Sequence, residues 1–205
     1  MKKLILALLS VFLFSGCASL LTSNEEPQAI YSLKEAKDIA PISSANASAL
    51  VLEIQRPVLP PGFDTSRIAM YLENGRRMDY YASAKWASPL DEVIQEFTVQ
   101  TARKTFADAI VAASGQALES DYRLQTKVNE FQPVYANGPE AAPLLVTSVS
   151  FTLLAMPEER IVTSFTIDQQ VQAHMNTLGS VTAGLEYLLQ SVEAQAFETI
   201  SKRMK

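Results

Sequence analysis

RIAMYLENGRRMDYYASAKWASPLDEV, residues 67 to 93, changes its hydrophobic period once, and that change decides the fold class. Up to Trp86 the apolar residues form two short alternating segments around Asn74-Gly75. Both of those residues tolerate positive φ, so the stretch predicts a hairpin over 67–82. From Ser88 the spacing becomes helical, with Ser88 expected as N-cap, Pro89 at the first helical position and Asp91-Glu92 favoured by the dipole in the first turn. Leu90, Ile94, Phe97 and Thr101, followed by Phe106 and Ile110, predict one helix over 89–113 that stops near Gly115.

The same two periods organise the chain on either side. Upstream, residues 50–54 alternate before Pro57 and Pro60-Pro61-Gly62, which predicts a strand ending at an edge or bend. Downstream, Tyr122, Leu124, Thr126, Val128 and Glu130 share one parity, while Arg123, Gln125, Lys127 and Asn129 share the other, as in a half-buried strand. Residues 144–156 and 160–175 are β-rich and joined by Pro157-Glu158-Glu159, so they predict a long antiparallel hairpin. A closing helix over 180–204 gathers Val181, Leu185, Leu188, Val192, Ala196 and Ile200 on one face, with Glu186, Gln190, Glu193 and Lys202 expected elsewhere.

The resulting order is β, ββ, α, β, ββ, α. A mixed, largely antiparallel β-sheet with two long helices on one face buries all of these stripes together, so a single α+β domain over 49–205 is expected.

The N-terminus has a different character. Met1-Lys2-Lys3 is a positive start, and residues 4–14 are apolar apart from Ser10. That run suits a secretory leader and is too short for a hydrocarbon core of about 30 Å, which takes about 20 residues. Phe14-Ser15-Gly16-Cys17 resembles a bacterial lipobox, with Phe14 where Leu, Val or Ile is usual. The resemblance implies a signal peptide over 1–16 and acyl chains, palmitate included, on Cys17. Each buried methylene contributes about 0.8 kcal/mol, so several chains on one residue anchor a protein firmly. Ala18 in place of Asp implies, by the same resemblance, sorting to the periplasmic face of the outer membrane. Residues 17–48 are expected to be a lipidated tether, with Tyr31-Ser32-Leu33 as an extended piece that docks on the domain.

Without Lys2 and Lys3 the 17 basic residues become 15 against 22 acidic ones, a net charge of −7 that disfavours nucleic acid and anionic headgroups. Cys17 is the sole cysteine and His174 the sole histidine. A metal site of His and Cys ligands therefore has no second member of either type, and a disulfide has no second thiol. No G-x-S-x-G nucleophile motif and no glycine-rich phosphate loop occurs, so neither a serine hydrolase nor an ATPase is expected. The expectation is a protein without catalytic residues, metal or cofactor beyond the covalent lipid. Asp91-Glu92 and Glu158-Glu159 read as solvated charges.

Four aromatic residues are candidates for partner binding. Trp86 either packs the hairpin against the following helix or forms an exposed aromatic spot with Tyr80 or Tyr81. Tyr135 lies in the Pro-rich stretch 133–143, either a mobile contact element or a plain connection. Free sheet edges would permit homo-oligomers or a docked peptide.

Taken together, the lipobox, Tyr31-Ser32-Leu33, the strand ending near Pro57, Arg67 to Tyr71, Tyr80-Tyr81 and Lys85-Trp86-Ala87-Ser88-Pro89-Leu90 resemble the ABC-type transport auxiliary lipoproteins. That family is similar to the lipoprotein of the paraquat-inducible operon. The resemblance implies an outer-membrane docking component for an inner-membrane permease, a cytoplasmic ATPase and a periplasmic MCE-type lipid-binding protein, which together move lipid between membranes. A domain that itself carries lipid in an apolar cavity is the alternative.

Overall fold

A computed structural model of the chain describes residues 28–34, 41–42, 50–116 and 119–204. The signal-peptide and lipobox expectations, Cys17 included, lie outside the described residues. The elements are β1 (Ala29–Tyr31), β2 (Val51–Ile54), β3 (Arg67–Leu72), β4 (Arg77–Trp86), α1 (Leu90–Thr105), β5 (Ile110–Ala113), β6 (Tyr122–Val134), β7 (Leu144–Ala155), β8 (Arg160–Gln172) and α2 (Leu178–Ser201).

The eight strands form one mixed sheet built around β6. Along one edge β6 pairs antiparallel with β7, which pairs antiparallel with β8. The other edge forks. The N-terminal half of β6 takes β2 and then β5, both parallel, and its C-terminal end takes β3 at Tyr71↔Val134, followed by β4 and β1. Between the branches the chain leaving β2 stays on β6 through Val58, whose N–H donates to Thr126 O at 2.9 Å. Both helices lie over one face, α2 against β7 and β8 and α1 against β2 and β5, and they touch each other. The α+β sheet with two helices on one face is therefore the observed architecture.

The hairpin forms where Asn74-Gly75 predicts it, with a four-residue loop in which Glu73, Asn74 and Gly75 all have positive φ. β4 runs past the expected limit at residue 82 to Trp86, because β1 pairs with its far end at Ala29↔Ala84 and Tyr31↔Trp86. Residues 29–31 are thus part of the sheet, which shortens the expected tether.

The first helix departs most from expectation. It ends at Thr105 instead of 113, and Phe106 turns its ring into the core against Phe197, with centroids 5.3 Å apart. Residues 110–113 become β5, because β2 has an open edge that takes four parallel pairs from Val51↔Ile110 to Ile54↔Ala113. Ile and Val at the start of the segment suit a pleated surface as well as a helix, so tertiary pairing decides. Ser88 does not cap α1. The N-cap is Pro89 without a side-chain bond, and Leu90 N–H reaches Thr65 O at 3.1 Å instead.

In β6 the expected parity holds at Leu124, Thr126 and Val128, then a bulge between Val128 and Glu130 turns Glu130 out and Phe131 in. The stripe on α2 is buried as its spacing predicts, each large aliphatic contributing about 1.5–3 kcal/mol. Glu193, expected off that face, is buried at 1% exposure beside Thr98 of α1. It occupies the i, i+4 row Leu185, Leu189, Glu193, Phe197, a row whose other members are apolar and buried.

Candidate functional site

Alternation along β4 sends Tyr80 and Tyr81 to opposite faces of their strand. The Tyr80 hydroxyl donates to Gly62 O at 2.9 Å, and the Arg67 guanidinium lies 3.7 Å from its ring centroid. Gly62 has φ +87°, and a Cβ there would meet Met78, so this turn closes on Tyr80 only with glycine.

Tyr81 faces the other way and meets Tyr135, their hydroxyls 2.7 Å apart. Tyr135 donates onward to Asn176 Oδ1 at 2.9 Å, so the proton in the first contact belongs to Tyr81. Asn176 Nδ2 donates in turn to Pro139 O at 2.8 Å. The relay ties β4, the end of β6, the loop after it and the turn before α2. Burial, together with the Tyr135 hydrogen bond, pushes the Tyr81 phenol well above its ordinary pKa, so it stays a donor.

The structure thus joins Tyr81 with Tyr135 and separates both from Tyr80 and Trp86. Trp86 is 2% exposed and its ring lies 6.2 Å from that of Phe131 on β6, so it is a core side chain and not an exposed aromatic spot. Tyr135 is 5% exposed, so the stretch 133–143 begins as a held segment rather than a contact loop. Among the expected carboxylate pairs, Asp91 and Glu92 both meet Arg56 at 3.2 Å, and Glu159 meets Arg123. His174 is exposed just beyond β8, and among the described residues no group of three or more His, Cys, Asp or Glu could hold a metal ion.

The relay ends beside an open groove of about 550 Å³ between the end of β8 and the first turns of α2. Leu145, Val171, Ala183 and Gly184 line it, and Met175 and Tyr187 stand exposed at its lip. Gly184 brings α2 down onto the sheet, since a Cβ there would collide with Leu145 Cδ1. The Thr177 cap, which accepts from Ser180 N–H, and the Met175 N–H, which donates to Ser180 Oγ, fix the turn forming the lip. The sequence reading missed this surface. Its trace is the run Ser180, Ala183, Gly184 and Tyr187 at i, i+3, i+4 and i+7, three small residues and an aromatic on one helical face.

Comparison of the sequence with curated proteins returns no match. A family model described as an ABC-type transport auxiliary lipoprotein component matches residues 31–196. Among solved structures, a protein from Xanthomonas campestris superposes with a TM-score of 0.72 at 22% identity, over 85% of this chain and 96% of the other. A second, described as an uncharacterized protein, gives 0.65 at 16% identity over 88% and 100%. At these identities the structural likeness speaks for the fold.

Proposed function

This chain belongs to the ABC-type transport auxiliary lipoprotein component family, and on that premise we propose that it is a non-enzymatic docking component of an MCE-associated lipid transport system, held on the periplasmic face of the outer membrane by acyl chains on Cys17. The family match over nearly all of the folded domain carries this reading. The role is positional: the anchor fixes the height of the domain, and the domain receives the outer end of a periplasmic MCE-type lipid-binding protein whose permease and ATPase supply the energy. Tyr80, Tyr81, Trp86 and Tyr135 serve binding indirectly, by fixing the hairpin and the turn at 173–177 that carries the groove lip.

A strain lacking the lipoprotein is expected to keep ATP hydrolysis by the remaining transport components while radiolabelled phospholipid stops reaching the outer membrane. Unchanged delivery would contradict the proposal. The groove beside α2 favours one second reading, in which the domain itself holds an acyl chain. Organic extraction of the purified protein separates the two, since stoichiometric phospholipid from a Cys17→Ala variant would favour the carrier and its absence the docking component.

A further inference from the structure

The contact between α1 and α2 contains a hydrogen-bond count that closes in one protonation state. Thr98 Oγ1 lies 2.8 Å from Ile94 O, one turn back on its own helix, and 2.6 Å from Glu193 Oε1 across the interface. A threonine hydroxyl has one proton and two lone pairs. If that proton goes to the carboxylate, two acceptors, the hydroxyl and the Ile94 carbonyl, face each other at bonding distance. If it goes to Ile94 O, as threonines within helices commonly arrange, the proton in the shorter contact has to come from Glu193.

We propose that Glu193 is a neutral carboxylic acid donating to Thr98, and that the α1–α2 contact therefore loses stability as pH rises from the acidic through the neutral range. An ionised carboxylate in this place would lack the donors that a buried anion needs. Glu193 Oε2 has no hydrogen-bond partner among the described residues, and neither has Thr101 Oγ1, a second buried hydroxyl on α1. Thr101 lies near enough to favour the anion slightly, but without a bond of ordinary geometry.

No cation compensates. Facing Glu193 from α1 are Thr98 and Thr101, and one turn away on α2 itself are Leu189, Gln190, Ala196 and Phe197. Of the strand side chains buried on the sheet, Leu124, Val128, Leu145, Val149, Phe151 and Leu153 are apolar, and Thr126 and Thr147 are uncharged. The other ionisable residues of the helices are Asp91, Glu92, Glu96, Arg103 and Lys104 on α1, Glu186, Tyr187 and Glu198 on α2, and Lys202 at the C-cap of α2. None of them contributes to the proton affinity of Glu193, which burial alone pushes up to about 8, against the opposing pull of the two hydroxyls.

Glu193 is then protonated in the folded chain where the unfolded chain, with its carboxyl near 4.5, has lost that proton. Its stabilising effect is complete below about 4.5, declines as pH rises from there to about 8, and is gone above. Within that window the unfolding constant rises about tenfold per pH unit on account of this one group.

The test uses the full chain in detergent micelles, unfolded by urea with the buried Trp86 as fluorescent reporter, at a series of pH values from 5 to 9. Compared with Glu193→Gln, whose amide can still donate to Thr98, the wild type is expected to show the additional tenfold-per-unit rise and to level off above about 8. Equal pH dependence in the two proteins overturns the proposal. If the variant does not fold, carbon-13 NMR of the wild-type glutamate carboxyl groups decides. A Glu193 resonance titrating near 8 supports the proposal, and one titrating with the exposed carboxylates overturns it.

Discussion

The Tyr135 hydroxyl accepts from Tyr81 and donates to Asn176, so one buried atom connects the hairpin branch of the sheet to the turn before α2. Tyr135→Phe leaves both neighbours without their partner, at a cost of about 1–3 kcal/mol in urea unfolding, while Tyr80→Phe loses a more exposed bond and about 1 kcal/mol or less. Comparable losses in the two variants would count against the relay. At Gly184 two effects compete. Alanine is favoured over glycine in a helix by about 1 kcal/mol, but the added methyl meets a fully buried Leu145 side chain. Overpacking wins at such a site, so Gly184→Ala is expected to destabilise the protein by about 1–2 kcal/mol, and a gain in stability would show that Leu145 has room to move.

Among the elements, β5 rests on the claim that β2 recruits residues which could have continued α1. Ile110 N–H donates to Leu50 O at 2.8 Å, a bond that proline removes. Ile110→Pro is expected to lower stability by about 1–3 kcal/mol and to speed amide exchange in β2, whereas a mutant with native stability would mean that β5 adds little to the sheet. This element also shows where the sequence becomes ambiguous. The long β7–β8 hairpin and α2 are legible because each repeats one period over a dozen residues or more. Ile110-Val111-Ala112-Ala113 is too short to display a period, and its state depends on an open edge contributed by a strand about 60 residues earlier. The limits of β4 were hidden for the same reason, since the partner that extends it, β1, lies in a segment with the composition of a tether. The aromatic residues of the site were visible as candidates, but their burial depended on which strand faces close on them. Of the groove, the sequence displays only the small residues of α2, which become a surface once Gly184 meets Leu145. Glu193 could have been placed from its i, i+4 row, in which every neighbour is apolar.

For the whole molecule the docking of β1 limits the reach of the proposed anchor. Eleven residue spacings separate Cys17 from Gln28, so the attachment point proposed at Cys17 lies at most about 40 Å from the edge of the sheet even with the connection fully extended. The proposed docking component therefore works close to its membrane, and the partner has to supply the rest of the span. Inserting about 20 flexible residues after Pro27 should leave the stability of the domain unchanged, because the insertion precedes β1, the first element of the sheet. If height matters, the same insertion should reduce lipid delivery, and full delivery would argue against a positional role. The central claim, that the domain docks on a lipid transport assembly, is tested most directly by crosslinking the lipoprotein in intact membranes and identifying by mass spectrometry what copurifies with it. The account predicts an MCE-type periplasmic protein together with its permease and ATPase. Recovery of the crosslinked lipoprotein with none of these components would contradict it.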